Sequence, residues 1–395
     1  MSEPVWILGI HMTKFGKHLD RDATDLAVEA TLGALDDAGM TMADLGIIVS
    51  GQLQATDGSG QRIQKQLGQT GIPVLNVANV CATGATALRT AMMSIQAGDV
   101  SCALAVGVEK LYGAGLLGAQ PVPEHARYVA EGRDGAVVPR DGMLGTESMP
   151  GVIGQIGVEY GHRYGDVSFE TFAKIAEKSH LNSTLNPLAA YTRAMSLTEI
   201  MNDKMIAYPN TRSMCSANCD GAAAAVLVGE QTLRQLDEAR RERAVKIAAS
   251  VLTTDPWTAG CQVLPDMNTL TRNVAVQAYE RAGVGPEDLD LVELHDCFAT
   301  AELVHYDNLM LCEEGGAVDF LESGAPFRGG SMPVNVSGGL QSKGHPIAAT
   351  GIANVWEICQ HLRGAAGARQ VDGARVGLAH VFGLGSSAAV HILTK

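Results

Sequence analysis

Apolar and polar positions along the chain follow two rhythms, short β-like runs and longer helical stretches, and their order repeats. Asp37-Ala38-Gly39-Met40-Thr41-Met42-Ala43-Asp44-Leu45, followed by the apolar Ile47-Ile48-Val49, opens the pattern. It returns as Arg281-Ala282-Gly283-Val284-Gly285-Pro286-Glu287-Asp288-Leu289, followed by Leu291-Val292-Glu293-Leu294. Each copy predicts a helix closed by glycine, a short polar loop and a strand. A second match pairs the strand end and Ala-Thr-Gly helix start at Val80 to Ala85 with Pro333 to Val336 and Ile347 to Ile352. A third, looser one pairs the small-to-apolar runs Ala222 to Val228 and Ser386 to Leu393. The chain therefore reads as two copies of one α/β unit, with strands alternating with helices. The expected halves are residues 1–118 with 212–232, and residues 233–395.

Residues 119–211 interrupt this pattern with Pro121, Pro123, Pro139 and Pro150, many glycines and scattered charge before a helical stretch from Phe169 to Asn182. Since the region is not low-complexity, it reads as a loop domain inserted over an active site rather than as a linker.

The apolar run from Val74 to Val80 reads as a strand, and Cys81 follows it at the start of a small-residue helix, Cys81-Ala82-Thr83-Gly84-Ala85, that Gly98 closes. Free backbone N–H groups at a helix start favour an anion, and such a site is one of the few that promotes the reactive thiolate of a cysteine. In wound α/β sheets function collects beyond the C-terminal ends of strands. Three further loops occupy such positions: His295-Asp296-Cys297 after Leu291 to Leu294, Gly344-His345-Pro346 after Val334 to Val336, and Gly383 to Gly385 after Val376 to Val381. On extended backbone, residues two apart share a face, which puts His295 and Cys297 together. The run Gly338-Gly339-Leu340-Gln341-Ser342-Lys343-Gly344-His345-Pro346 lacks the spacing of a phosphate loop, so nucleotide binding is not expected. His380 and His391 fall in strand patterns and read as structural, with His380 closer to the converging loops.

Composition narrows the class. The chain has 395 residues, 46% of them hydrophobic, with 45 glycines and 5% aromatics, enough for two cores built on small residues and tight turns. A net charge of −14 argues against a nucleic-acid partner. No apolar stretch is long enough for a membrane span, the N-terminus carries no secretory pattern, and the last residues are not a peroxisomal address. Eight cysteines in such a chain read as reduced thiols of a cytoplasmic protein. Cys215 and Cys219 lack a second Cys/His pair at zinc-like spacing, so no metal is expected; Cys102 and Cys359 read as packing residues.

The Cys-Ala-Thr-Gly segment at Cys81, the His-Asp-Cys-Phe segment at His295, the Gly-Gly-Leu…Gly-His-Pro run and the late Gly-x-Gly resemble the thiolase superfamily, specifically its sterol-carrier-protein type branch. Asn218-Cys219-Asp220-Gly221-Ala222-Ala223 and the stretch from Glu159 to Ile175 extend the resemblance over nearly the whole chain. It implies an α/β thiolase fold, two duplicated halves in α-β-α-β-α layers with an inserted loop domain, and a homodimer. It also implies an acyl-CoA C-acyltransferase needing no metal or bound cofactor, with coenzyme A as co-substrate. By the same resemblance Cys81 is the acyl-accepting nucleophile and His345 the base that activates it. His295 polarises the thioester oxygen of the enolate-forming group, and the N–H groups of Cys81 and Gly383 form a second oxyanion hole. Most thiolases carry a second catalytic cysteine in a late Cys-x-Gly, where this chain has Val381-Phe382-Gly383. Cys297 is the expected replacement as the acid/base, because a Claisen-type step must move a proton at the carbon beside a thioester.

Competing readings are a decarboxylating ketoacyl synthase, for which a second thiol has no use, and a carbon–carbon lyase acting with a small OB-fold partner, against which Cys81 counts. A condensing enzyme docked on such a partner stays open, and a non-enzymatic acyl-CoA or lipid binder is disfavoured by the four intact site residues. No sterol-carrier domain follows the closing strand, so direct lipid transfer is not expected. Coenzyme A contacts are not assigned: Arg127, Arg133, Arg140 and Arg163 are equally compatible with a solvated surface.

Overall fold

The structure is a computed structural model that describes residues 3–53, 58–112, 130–132, 135–137, 149–165, 167–255, 267–383 and 387–395. The first half runs β1 (Val5–Met12), α1 (Ala23–Ala38), β2 (Ile47–Gly51), α2 (Ser59–Leu67), β3 (Val74–Val77), α3 (Thr83–Gln96) and β4 (Cys102–Glu109). The middle holds β5 (Ala130–Gly132), β6 (Gly135–Val137), α4 (Met149–Tyr164), α5 (Phe169–Ser183), α6 (Leu197–Met201), β7 (Met205–Ala207) and β8 (Asn210–Thr211). There follow β9 (Gly221–Gly229), α7 (Glu230–Gln235), α8 (Glu238–Arg243), β10 (Val245–Thr253), α9 (Met267–Ala282) and β11 (Leu291–Glu293). The chain closes with α10 (Ala299–Asn308), α11 (Ala317–Glu322), α12 (Ile347–Leu362), β12 (Val376–Gly383) and β13 (Ser387–Thr394).

The repeat seen in the sequence is repeated in strand order. The main sheet runs β11-β12-β13-β10-β1-β9-β4-β2-β3. On one side β2 is parallel to β3 and β4, and β9 is antiparallel to both β4 and β1. On the other, β11 is parallel to β12 and, through a Val292–Val334 bridge, to the segment after it; β13 is antiparallel to both β12 and β10. The two sets, five strands on one side and four strands with the Val334 bridge on the other, meet at a seam where Trp6 faces Lys246 and Ile7 faces Val245.

The local match is equally close. α1 and α9 both end at a left-handed glycine, Gly39 at φ 62° and Gly283 at φ 69°, a conformation in which glycine carries no Cβ penalty. A short turn follows each. In one, the Thr41 N–H donates to Asp44 at 2.7 Å; in the other, the Gly285 N–H donates to Asp288 at 2.8 Å.

Layering follows from which faces are apolar. α1 covers the outer face of β1, β4 and β9, and α9 covers β10 and β13. α3 and α12 pack on each other and on strands of both halves, which gives the α-β-α-β-α sandwich. A helix enclosed on all sides needs an apolar or small surface all round, and every residue of α12 except Gln360 is buried. From the inserted region, α4 and α5 pack on α10, and Tyr160 donates to Asp307 at 2.9 Å. No helix among the described residues is long and apolar enough to cross a membrane. The cysteines described are all unbridged.

Candidate active site

The strand expected to reach Val80 ends at Val77, because the chain turns sharply before the nucleophile. Val80 has φ 47°, a left-handed conformation that a β-branched residue adopts only under strain of about 1–3 kcal/mol. Thr83 holds it there: its hydroxyl donates to the Val80 carbonyl at 2.6 Å and accepts the Asn79 N–H at 2.8 Å. Asn79 in turn donates to Thr86 at 3.1 Å. This elbow lifts Cys81 off the sheet to the residue just before the cap of α3, Ala82.

His345 holds the corresponding place on α12, one residue before its cap, Pro346. Its ring is oriented from behind. Its Nδ1 lies 2.7 Å from Thr350 Oγ1, whose hydroxyl also reaches the Pro346 carbonyl at 3.1 Å. With the hydroxyl turned to the carbonyl, Nδ1 carries the proton and donates to Thr350, and Nε2 is the unprotonated nitrogen.

His295 and Cys297 lie beyond β11, where Asp296 between them turns inward. Its carboxylate accepts the Leu340 N–H at 2.7 Å and the Gln341 side-chain amide at 3.1 Å. This ties the loop to the single turn of π-helix at Gly339–Lys343, a geometry found mostly at functional sites. The Cys297 carbonyl accepts from Ser216 at 2.8 Å.

The loops converge. The Cys81 thiol and one nitrogen of each of His295 and His345 lie within 4.8 Å of one another, and the two imidazoles meet edge to face at 5.1 Å between centroids. Cys81, His295, Cys297 and His345 are all buried. Gly383 belongs to the same place, since a Cβ there would lie 3.2 Å from the Asn79 carbonyl oxygen and 3.3 Å from the Ala82 nitrogen. Gly385 lies outside the described residues. Around Cys81, the side chains of Leu111, Ile347 and Val381 form an apolar wall.

Burial sets the charge states. It holds His345 down to about 3, helped by the Lys343 ammonium, so the imidazole is neutral near pH 7. His295 is also held well below its ordinary range, by burial first and then by His345, His380 and His305. Burial pushes the Cys297 thiol well up, reinforced by Cys81 and Asp296, so it rests protonated. The site thus holds two neutral imidazoles and a protonated Cys297 thiol around Cys81.

Other candidates separate from the site. His391 bonds to Ser250 at 2.9 Å, Cys215 donates to the Thr211 carbonyl at 3.2 Å, and Cys102 packs on Met40. Cys359 is buried in α12, its thiol pushed up to about 12. His380 is nearer than a structural reading requires: its Nδ1 meets the His295 N–H at 3.5 Å and its ring meets His305 edge to face. Arg163 is exposed and pairs with Glu314, while Arg127, Arg133 and Arg140 lie outside the described residues. Sequence reasoning missed the roles of Val80, Thr350 and Asp296, for which the only signal was their adjacency to Cys81, His345 and His295. Among the described residues, Cys81, His295 and His345 are also the one group with metal-ligand spacing. A thiol and two imidazoles in this arrangement suit acyl transfer as well as metal binding.

The thiolase N-terminal domain model matches residues 5–204, and a thiolase C-terminal domain-like model matches residues 261–395. Sterol carrier protein 2 of Bos taurus is 38% identical over 98% of this chain and 71% of its own length. The acetyl-CoA acetyltransferase of Methanothermobacter thermautotrophicus is 33% identical over 99% of both chains. Among solved structures, the Ltp2-ChsH2(DUF35) aldolase shares the fold at a TM-score of 0.79 and 22% identity, over 99% of this chain and 97% of its own. On these matches the chain belongs to the thiolase family and is an acyl-CoA acyltransferase.

Proposed function

We propose that the protein cleaves a 3-ketoacyl-CoA with free coenzyme A, or runs the reverse Claisen condensation, through an acyl-Cys81 intermediate. The observation that carries this reading is the meeting of Cys81, His295 and His345 within 4.8 Å. In the cleaving direction Cys81 Sγ attacks the 3-keto carbon and its proton passes to His345 Nε2. The C2–C3 bond breaks, an imidazole N–H of His295 stabilises the enolate oxygen, and the Cys297 thiol gives C2 its proton. In the second half the Cys297 thiolate takes the proton of coenzyme A, whose sulfur attacks the acyl carbon. Cys81 leaves and regains a proton from His345. The burial that keeps Cys297 protonated at rest also makes its thiolate a strong base for that second half. Backbone N–H groups of Cys81 and Gly383 serve the tetrahedral oxyanion, each such donor worth about 3–4 kcal/mol of barrier.

Coenzyme A enters as a co-substrate, and every step uses side chains or backbone of this chain, with no resident metal or cofactor. The cytoplasm is the compartment that keeps such thiols reduced. A homodimer is the assembly we favour. Among the described residues β3 lies at the sheet edge, paired with β2 alone, and Leu75 on it and Met93 on the adjoining α3 are exposed apolar side chains. An unpaired apolar edge is a template for a second copy of the chain. The fold it shares with the Ltp2-ChsH2(DUF35) aldolase, whose name joins two components, keeps a small OB-fold protein as the second candidate partner.

Cys297→Ala tests the assignment of the second thiol. It should still form the acyl-enzyme, within about tenfold of the parent rate, while exchange of the α-protons of acetyl-CoA with deuterium falls roughly 10²- to 10⁴-fold. Unchanged exchange would move the role to another group, with His380 next in line.

A further inference from the structure

The two loops that carry the catalytic histidines are joined beneath them by a buried ion pair. Glu293 ends β11 two residues before His295, and Lys343 stands two residues before His345. Lys343 Nζ lies 3.2 Å from Glu293 Oε2 and donates to Asn354 Oδ1 of α12 at 2.9 Å. Glu293 also accepts the Ser337 N–H at 3.0 Å and its hydroxyl at 2.5 Å. Both charged side chains are at most 1% exposed. The pair thus ties β11, the turn at Ser337, the π-turn and helix α12 to one point.

Such a pair is a poor device for net stability. Both charges give up hydration, and apolar residues of similar size often serve a fold as well. Its value lies in geometry: a charge buried in one place admits its partner in one place only. A second enclosed pair, Lys178–Glu302 at 2.6 Å, ties α5 to α10 beside the same loops, but neither of its residues is on the loop of His295 or of His345. Lys343 and Glu293 are each two residues from a catalytic imidazole, so a slip of one loop against the other would change the 5.1 Å spacing of His295 and His345.

We propose that Lys343 and Glu293 are positioning residues, a buried ion pair that sets the spacing of His295 and His345 and thereby the reactivity of Cys81. The inference rests on the acyl-transfer reading above. The variant Lys343→Met with Glu293→Gln removes both charges together, so that neither is left buried alone, and keeps an acceptor for Ser337.

The double variant should melt within a few degrees of the parent. Acyl loading of Cys81, followed by rapid-quench intact mass, should slow at least tenfold, about 1.4 kcal/mol of barrier, with the half-saturating substrate concentration unchanged. Alkylation of Cys81 by iodoacetamide should slow by a similar factor. This second readout uses no acyl-CoA, so it judges the pair even if the acyl-transfer reading fails. A folded double variant that loads and alkylates within twofold of the parent would overturn the proposal. Should the double variant not fold, Asn354→Ala replaces it, freeing Lys343 from one of its two acceptors. Alkylation slowed threefold or more then supports the proposal, and an unchanged rate overturns it.

Discussion

Gly84 of α3 lies directly against the Ala348 carbonyl of α12, so close that a Cβ at position 84 would collide with that oxygen. The contact is reciprocal, because a Cβ at Gly351 would come within 2.5 Å of the Ala85 nitrogen. The central helices therefore cross backbone to backbone in their first turns, and the residues just ahead of those turns, Cys81 and His345, are brought together. The internal repeat makes the site: Cys81 and His345 occupy equivalent positions on duplicated helices.

Gly351→Val tests this crossing. The new Cβ meets backbone rather than a yielding side chain, so the cost is at least that of ordinary overpacking, about 1–3 kcal/mol, and the melting temperature should fall; the comparison is made on the folded variant. Because the helix starts are forced apart, acyl loading of Cys81 should fall by at least about 10²-fold, the scale on which small misplacement acts. Parent-like loading at a lowered melting temperature would show that the close crossing serves packing alone.

Thr350→Val removes the acceptor of the His345 Nδ1–H while keeping the shape of the side chain. An imidazole free to take the other tautomer is a poorer base, as orienting partners of catalytic histidines show. Acyl loading should slow roughly ten- to a hundredfold with little change in substrate affinity, read from single-turnover rates at several concentrations.

Stability should fall with acid from a pH that ordinary surface carboxylates do not explain. His305, His345 and His391 are each held to about 3 by burial, and His295 and His380 lie well below the usual histidine range for the same first reason. Unfolded, each titrates near 6.5. A group whose folded value is depressed contributes stability that is complete above the unfolded value and is lost as pH falls toward the folded one. Each such histidine therefore removes about 1.4 kcal/mol per pH unit below about 6.5. Denaturant melts at pH 7.5, 6.0 and 5.0 should show a decline that begins near 6.5; a flat profile to pH 5 would contradict the neutral, enclosed state of these rings.

Leu75→Lys places a charge on the exposed face of edge strand β3. The parent should sediment as a dimer, and the variant should shift toward monomer with its fold retained. A monomeric parent would remove the β3 edge from the account.

That Cys81, His295, Cys297 and His345 come together was legible because motif and residue type carry the signal: a small-residue helix start after a strand, a His and a Cys two apart, a Gly-His-Pro turn. The duplication was legible too, since Gly39 and Gly283 mark the same left-handed turn in both copies. The expected helix from Phe169 to Asn182 runs one residue further, to Ser183. What could not be read is what tertiary packing decides. The apolar run through Val80 looks like continuous strand, but Thr83 and Asn79 bend it into the elbow. Asp296, Thr350, Glu293 and Lys343 act through partners that the sequence places far away or gives no reason to choose, and only the folded chain brings them together.

The most direct measurement is the intact mass of the protein after brief exposure to acetoacetyl-CoA and to a longer 3-ketoacyl-CoA, with the adduct mapped by peptide and repeated on Cys81→Ala. One acyl group on Cys81 of the parent, and none on a folded Cys81→Ala, is the predicted result. An acyl group on another residue, or turnover retained by Cys81→Ala, would contradict the covalent mechanism.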